Sequence, residues 1–172
     1  MGQNLEEMFD VVDEHDRVVG QAPRREVHAR GLRHRAVHVL VVNRAGRVFL
    51  QKRSAAKDLH PGVWDSSSSG HVGAGDDYDP TAARELAEEL GCRPERPPRF
   101  LFRLEACAQT GQEFVQVYRA EAEGPFTLQP EEIECGDWFA VAEIDRWVAE
   151  RPAEFAPSFV YLWPLARGFL GA

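Results

Sequence analysis

The sequence predicts an α/β (α+β) layered domain, with a few helices packed against a central sheet. Three observations carry this. The run "VHVLVV" at residues 37–42 is dense in β-branched residues and bounded by turn signals, so it reads as a buried strand. The segment around "RELAEELG" at residues 84–91 has a helical period. Further strand-like and helix-like runs follow it, which is the pattern of layered mixed domains.

In chain order, residues 9–12 and 17–21 flank "DEHD" as a short hairpin, and "RREVHARG" supplies one or two helical turns. After the 37–42 strand, "NRAG" turns the chain and "RVFLQKR" returns as a second strand. "DLHPGVW" is a loop ending near Trp64, and "SSSS" at 66–69 is either flexible hydrogen-bonding capacity or a polar strand end before Gly70. A helix is expected over residues 80–90, opened by "DPT" at 79–81 and closed by Gly91. Strands follow at 100–108, 113–120 and around 137–139, then helices at 141–150 and 157–168.

The 80–90 helix divides on a wheel. Ala82, Ala83, Leu86, Ala87 and Leu90 fill one arc, and Arg84, Glu85, Glu88 and Glu89 fill the other. That polar arc is badly arranged for stability. Glu85 lies three and four residues before Glu88 and Glu89, and such like-charge pairs each cost about 0.2–0.5 kcal/mol. They also sit near the helix C-terminus, where the macrodipole disfavours negative charge. Arg84 offsets one carboxylate, Glu88, at the i,i+4 spacing.

Composition bounds the function. At 172 residues, 44% hydrophobic and 28% charged, the chain reads as a single domain, 1–172, with enough apolar residues for a core. A net charge of −8 argues against nucleic acid and anionic membranes as partners, so an anionic substrate needs a local positive site or a bound cation. Cys92, Cys107 and Cys135 have no paired spacing, which suggests reduced thiols in a cytoplasmic protein. The first residues have neither the basic region nor the apolar core of a secretory signal. "MGQN" opens like an acylation site but lacks the hydroxyl that pattern wants.

Read backward from the helix, "GHVGAGDDYDPTAARELAEELGC" at residues 70–92 resembles the Nudix box: Gly70, an acid at Asp76, then Arg84, Glu85, Leu86, Glu88, Glu89, Gly91 and Cys92. Many fixed positions at fixed spacing make this a specific signal. One departure is Asp76, where the family usually has Glu. The resemblance implies a three-layer α/β/α sandwich with a central mixed sheet, and hydrolysis of a diphosphate linked to another moiety. It also implies Mg²⁺ or Mn²⁺ as cofactor, which suits carboxylates converging on one helix face. Glu88 and Glu89 would then bind metal, Glu85 would ligate metal or act as base, and Arg84 would orient them.

The flanks, "VVDEHDRVVGQ" and residues 27–72, look like the isopentenyl-diphosphate isomerase-like subgroup, so the likeness spans roughly residues 9–140. True isomerases carry a catalytic cysteine just before the "GH" pair, where this chain has Ser69. A serine hydroxyl is a poor proton carrier beside a thiol, which argues against isomerase activity. Glu113, His34 and His71 match metal-binding positions of that subgroup, while Gly111 stands where a second glutamate is expected. His28 is offset by one residue and, with His38, reads as a hydrogen-bonded structural histidine; His15 and His60 fall in turns.

Lys52, Arg53 and Lys57 match basic positions that contact diphosphate. The run 24–35 holds five arginines against one glutamate and reads as a solvated basic surface or an attractor for phosphate. Trp64, Phe114, Tyr118 and Trp138 read as core. The expected partner is a small-molecule diphosphate such as a nucleoside diphosphate derivative, with a homodimer left open. A diphosphate isomerase and a non-catalytic diphosphate-binding module are the alternatives.

Overall fold

In the computed structural model, which describes residues 4–170, strand β3 (His34–Val42) runs through the middle of the molecule. Residues 1–3, the start of "MGQN", and 171–172 lie outside the described residues. The unbroken apolar run of β3 follows from burial on both faces. Val37, Val39 and Val41 pack on one side with Ala82, Leu86 and Leu90 of α2 (Tyr78–Leu90). Leu40 and Val42 pack on the other with α3 (Val141–Glu150) and α4 (Pro157–Ala166). The result is the expected three-layer sandwich with a central mixed sheet.

That sheet has the order β5-β4-β3-β8-β7, with β6 also pairing β3 and β9 pairing β4. Its strands are β4 (Val48–Arg53), β5 (Trp64–Asp65), β6 (Ser68–His71), β7 (Arg99–Leu104), β8 (Glu113–Glu121) and β9 (Ile133–Phe139). β3 and β8 run parallel, and the other pairings are antiparallel. A separate hairpin, β1 (Met8–Val12) with β2 (Val18–Pro23), leads into α1 (Arg24–Arg30). Gly31, at φ 60°, turns the chain from α1 toward β3.

Several boundaries moved. The "DPT" start fails because the helix already begins at Tyr78; Asp79 lies in its first turn and accepts a 2.6 Å hydrogen bond from the Tyr118 hydroxyl. The 100–108 strand stops at Leu104, since Thr110 Oγ1 accepts from the Cys107 amide and closes a turn. The last helix gives way to a 3₁₀ turn at Arg167–Phe169, beyond Pro164. Ser68 and Ser69 of the serine run open β6 and Ser66 and Ser67 lead into it; Ser66, Ser67 and Ser68 are fully buried. Ser66 Oγ lies 2.7 Å from His38 Nδ1, and Ser67 Oγ accepts from the Val41 amide. Among the described residues, no helix is long and apolar enough to cross a membrane.

Candidate active site

Strand register assembles the site. The parallel β3–β8 pairing sets His34 beside Glu113, and the antiparallel β3–β6 pairing sets His71 beside Ala36. Positions 34 and 36 share a face of β3 by the two-residue period. α1 brings His28 to the same place. One donor atom each from His28, His34, His71 and Glu113 lies within 4.8 Å of the others. Phe9, fully buried, stacks on His34 and His71 from behind.

The hydrogen bonds of these histidines leave room for a cation. His34 Nδ1 lies 2.8 Å from the Leu32 carbonyl oxygen, which can only accept, so the ring proton is on Nδ1. Nε2 is then a bare lone pair 3.4 Å from Glu113 Oε1, another acceptor, and it is buried with no hydrogen-bond partner. His28 Nε2 is likewise buried without one. Two acceptors facing each other fit a metal ion. Arg24 donates to His71 Nδ1 at 3.2 Å, and His71 Nε2 meets Glu113 Oε1 at 2.9 Å. Burial holds His71 down at about 4. Burial alone would raise Glu113, but its imidazole neighbours, with His71 hydrogen-bonded to it, outweigh burial and hold the carboxyl well below its usual range.

The helix carboxylates stand on the other side of β6. Gly70 packs so tightly on α2 that a Cβ there would overlap the Glu85 carboxyl. Glu89 is 5% exposed, although it falls on the polar arc of the wheel. Its Oε2 accepts from Gln51 Nε2 at 2.8 Å and from the Ser69 amide at 3.2 Å. The amides of Thr127 and Gln129 cap the Leu90 and Glu89 carbonyls, which brings the loop carrying Glu132 alongside. Glu88 projects outward, its side chain 58% exposed, and pairs with Arg84 at 3.3 Å, as the i,i+4 spacing predicts. Arg84 also reaches Glu85 Oε1 at 3.2 Å.

Burial, and for Glu85 also the charge of Glu89, raises both carboxyls above their ordinary 4.5. Lys57, Gln51 and Ser69 pull Glu89 back without cancelling the shift. Such carboxyls keep protons in the fold that the unfolded chain releases, so they stabilise less as pH rises through their raised values. His71 acts in the opposite sense, but only below its ordinary 6.5. The metal-free protein is therefore expected to lose melting temperature as pH rises above 6.5, and added Mg²⁺ to remove that decline. Scanning calorimetry in chelator and in Mg²⁺ checks both; a flat metal-free profile would refute the carboxyl shifts.

One cleft of about 480 Å³ joins the two groups, and Glu85, Glu88, Glu89, Glu113, His28 and His71 line it. Arg53 and Lys57 also line the cleft, but both are committed. Arg53 binds Asp65 Oδ2 and the Leu59 and His60 carbonyls, and Lys57 pairs with Glu132. Lys52 is not among the lining residues. A bulge between Lys52 and Arg53 breaks the alternation of β4, and the Lys52 ammonium pairs with Glu134 at 3.1 Å. The arginines of 24–35 are not a bare basic surface either: Arg24 pairs with Asp58, Arg25 with Glu6, Arg30 with Glu26 and Arg35 with Asp16. Phe114 and Tyr118 are core, as expected.

The NUDIX domain family model matches residues 32–159. This chain belongs to the Nudix family. A Nudix hydrolase of Streptomyces coelicolor is 39% identical over 170 residues, 98% of this chain and 93% of that one. A Nudix hydrolase of Yersinia pestis is 38% identical over 154 residues, 88% of this chain and 80% of that one. Among solved structures, DR0079 from Deinococcus radiodurans superposes with a TM-score of 0.81 at 27% identity, covering 92% of this chain and 98% of that one. The activity is that of a Nudix pyrophosphohydrolase, an enzyme class that acts on small-molecule substrates and generally uses divalent metals. The Nudix match begins at residue 32, so Arg24 and His28 come from outside it.

Proposed function

We propose that this Nudix hydrolase cleaves a diphosphate linkage in a nucleoside diphosphate derivative or related small molecule, with Mg²⁺ or Mn²⁺ held by Glu88 and Glu89. The observation that carries the reading is the pair of carboxylates Glu89, buried, and Glu85, nearly so, in an acid-lined cleft. They make a poor structural feature and a good oxygen-ligand set. The cation would neutralise phosphate oxygens and make a water more acidic. Glu85, its carboxyl raised by burial, is matched to accept the proton of the attacking water. Arg84, bonded to Glu85 and Glu88, holds both in place. Arg53 and Lys57 lend positive potential to the diphosphate while remaining tied to Asp65 and Glu132.

The group His28, His34, His71 and Glu113 supports a second metal site of imidazole-rich character and, with it, the likeness to the isomerase-like subgroup. Isomerisation itself is not favoured, because Ser69 stands before Gly70 and His71 and no thiol is there to move the proton.

The test is ³¹P NMR on a panel of nucleoside di- and triphosphates, nucleotide sugars, dinucleotide cofactors and isopentenyl diphosphate, with Mg²⁺ or Mn²⁺ and again in chelator. Cleavage that needs the metal is expected. Cleavage at full rate in chelator would overturn the metal reading. Conversion of isopentenyl to dimethylallyl diphosphate without cleavage would restore the isomerase.

A further inference from the structure

Gln51 is a buried amide in the middle of β4, 1% exposed, at a position where its strand neighbours Phe49 and Leu50 are apolar. An apolar residue would be the default there, since a buried amide is tolerated only when its donors are satisfied. Gln51 Nε2 has two partners: Glu89 Oε2 at 2.8 Å and the Ser67 carbonyl at 3.2 Å. Its backbone is fixed from both sides, opposite Asp65 of β5 and Gly136 of β9. The amide nitrogen thus divides its two protons between the Ser67 carbonyl and a carboxylate of the box. The Ser69 amide reaches the same oxygen, Oε2, at 3.2 Å. Both donors converge on one oxygen and leave Oε1 for a cation.

We infer that Gln51 is a positioning residue: it orients the Glu89 carboxylate so that Oε1 is presented to a divalent cation. This rests on the metal-dependent hydrolysis proposed above. Partners that orient a ligand in this way typically govern metal affinity by about 10–100-fold. The role is separable from packing. Leucine and methionine keep the side-chain volume near that of glutamine but donate nothing, so they release Glu89 without emptying the site.

The experiment measures Mn²⁺ binding from the electron paramagnetic resonance signal of the free ion. It uses the full chain, Gln51→Leu, Gln51→Met, Glu89→Gln and the double variant Gln51→Leu/Glu89→Gln, each shown to melt cooperatively without metal. Gln51→Leu and Gln51→Met are expected to weaken, by about 10–100-fold, the binding component that Glu89→Gln abolishes. Gln51→Leu should not change what remains in the Glu89→Gln background. The Mn²⁺ concentration for half-maximal hydrolysis should rise by the same factor, with KM for the diphosphate at saturating metal unchanged. Wild-type affinity in both Gln51 variants would overturn the inference and leave the metal reading intact. So would a loss that persists undiminished beside Glu89→Gln. If Glu89→Gln itself binds Mn²⁺ as the parent chain does, the box is not a metal site, and both readings fall together.

Discussion

Replacing Glu89 with glutamine is expected to lower kcat for metal-dependent hydrolysis by on the order of a thousandfold, about 4 kcal/mol of transition-state stabilisation. Glutamine keeps the volume and can still accept from Gln51 Nε2 and the Ser69 amide, which now bond Glu89 Oε2. What it removes is a buried negative charge. The activity loss should therefore come with no loss of fold. In chelator the variant should melt higher than the parent chain, and the gap should widen as pH rises, because the parent must ionise a carboxyl whose pKa burial has raised. Steady-state kinetics in Mg²⁺ and calorimetry in chelator read the two halves separately. A thousandfold drop with a lower metal-free melting temperature would mean that Glu89 is needed for packing. An unchanged kcat would remove it from the chemistry. Glu88 does not offer the same contrast: its exposed carboxylate, paired with Arg84, incurs little desolvation, so its replacement should change rate without the stability gain.

That contrast between adjacent glutamates was not legible in the sequence. A wheel assigns residues to arcs, and Glu89 falls with Glu85 and Glu88. Which part of the polar arc is covered depends on the sheet and on the loop that bonds the helix end through Thr127 and Gln129. The layers themselves were legible, because they are written in local period: β3 is apolar on both faces, and α2 repeats Ala82, Leu86 and Leu90 toward the sheet. The box was legible from fixed spacing along one continuous segment, from Gly70 in β6 to the end of α2. The imidazole group was legible only in part, because it is made by pairings between distant segments. His34 and Glu113 meet through parallel register across 79 residues, and no local pattern encodes register of that kind. His28 was read as a structural histidine, yet α1 and the left-handed Gly31 after it bring it into the candidate group. The histidines at 28 and 34 flanking a glycine at 31 were the signal available. Lys52 misled in the opposite way: "QKR" offers two adjacent cations, and a bulge between them decides which one reaches the cleft.

Gly70→Ala should reproduce most of the loss of Glu85 while replacing no ionisable group. Gly70 sits in β6 opposite Val37, facing α2, and a methyl there would occupy the space now held by the Glu85 carboxyl. The colliding atoms are the end of a flexible side chain, so the fold can yield: Glu85 swings aside, its contact with Arg84 Nη2 breaks, and helix and strand stay in place. Overpacking of this kind costs about 1 kcal/mol or a little more. For a chain of this size that is roughly 2–4 °C of melting temperature per kcal/mol. Separating Glu85 from Glu89 removes a like-charge interaction and offsets part of it. Catalysis has no such latitude, since a proton acceptor displaced by about 1 Å can lose on the order of a hundredfold in rate. We therefore expect kcat to fall by about a hundredfold or more with the metal-free melting temperature within a few degrees of the parent. Glu85→Gln added to Gly70→Ala should then lower kcat little further, because two changes that disable the same group are not additive. If Gly70→Ala keeps its rate, the carboxyl of Glu85 does not act from where it now stands, and the proton must be taken up elsewhere in the cleft. If the rate falls and Glu85→Gln lowers it again by the full factor, the methyl has disturbed something other than Glu85. Only a large first loss with a small second one places the base at Glu85 and explains why a glycine must face it.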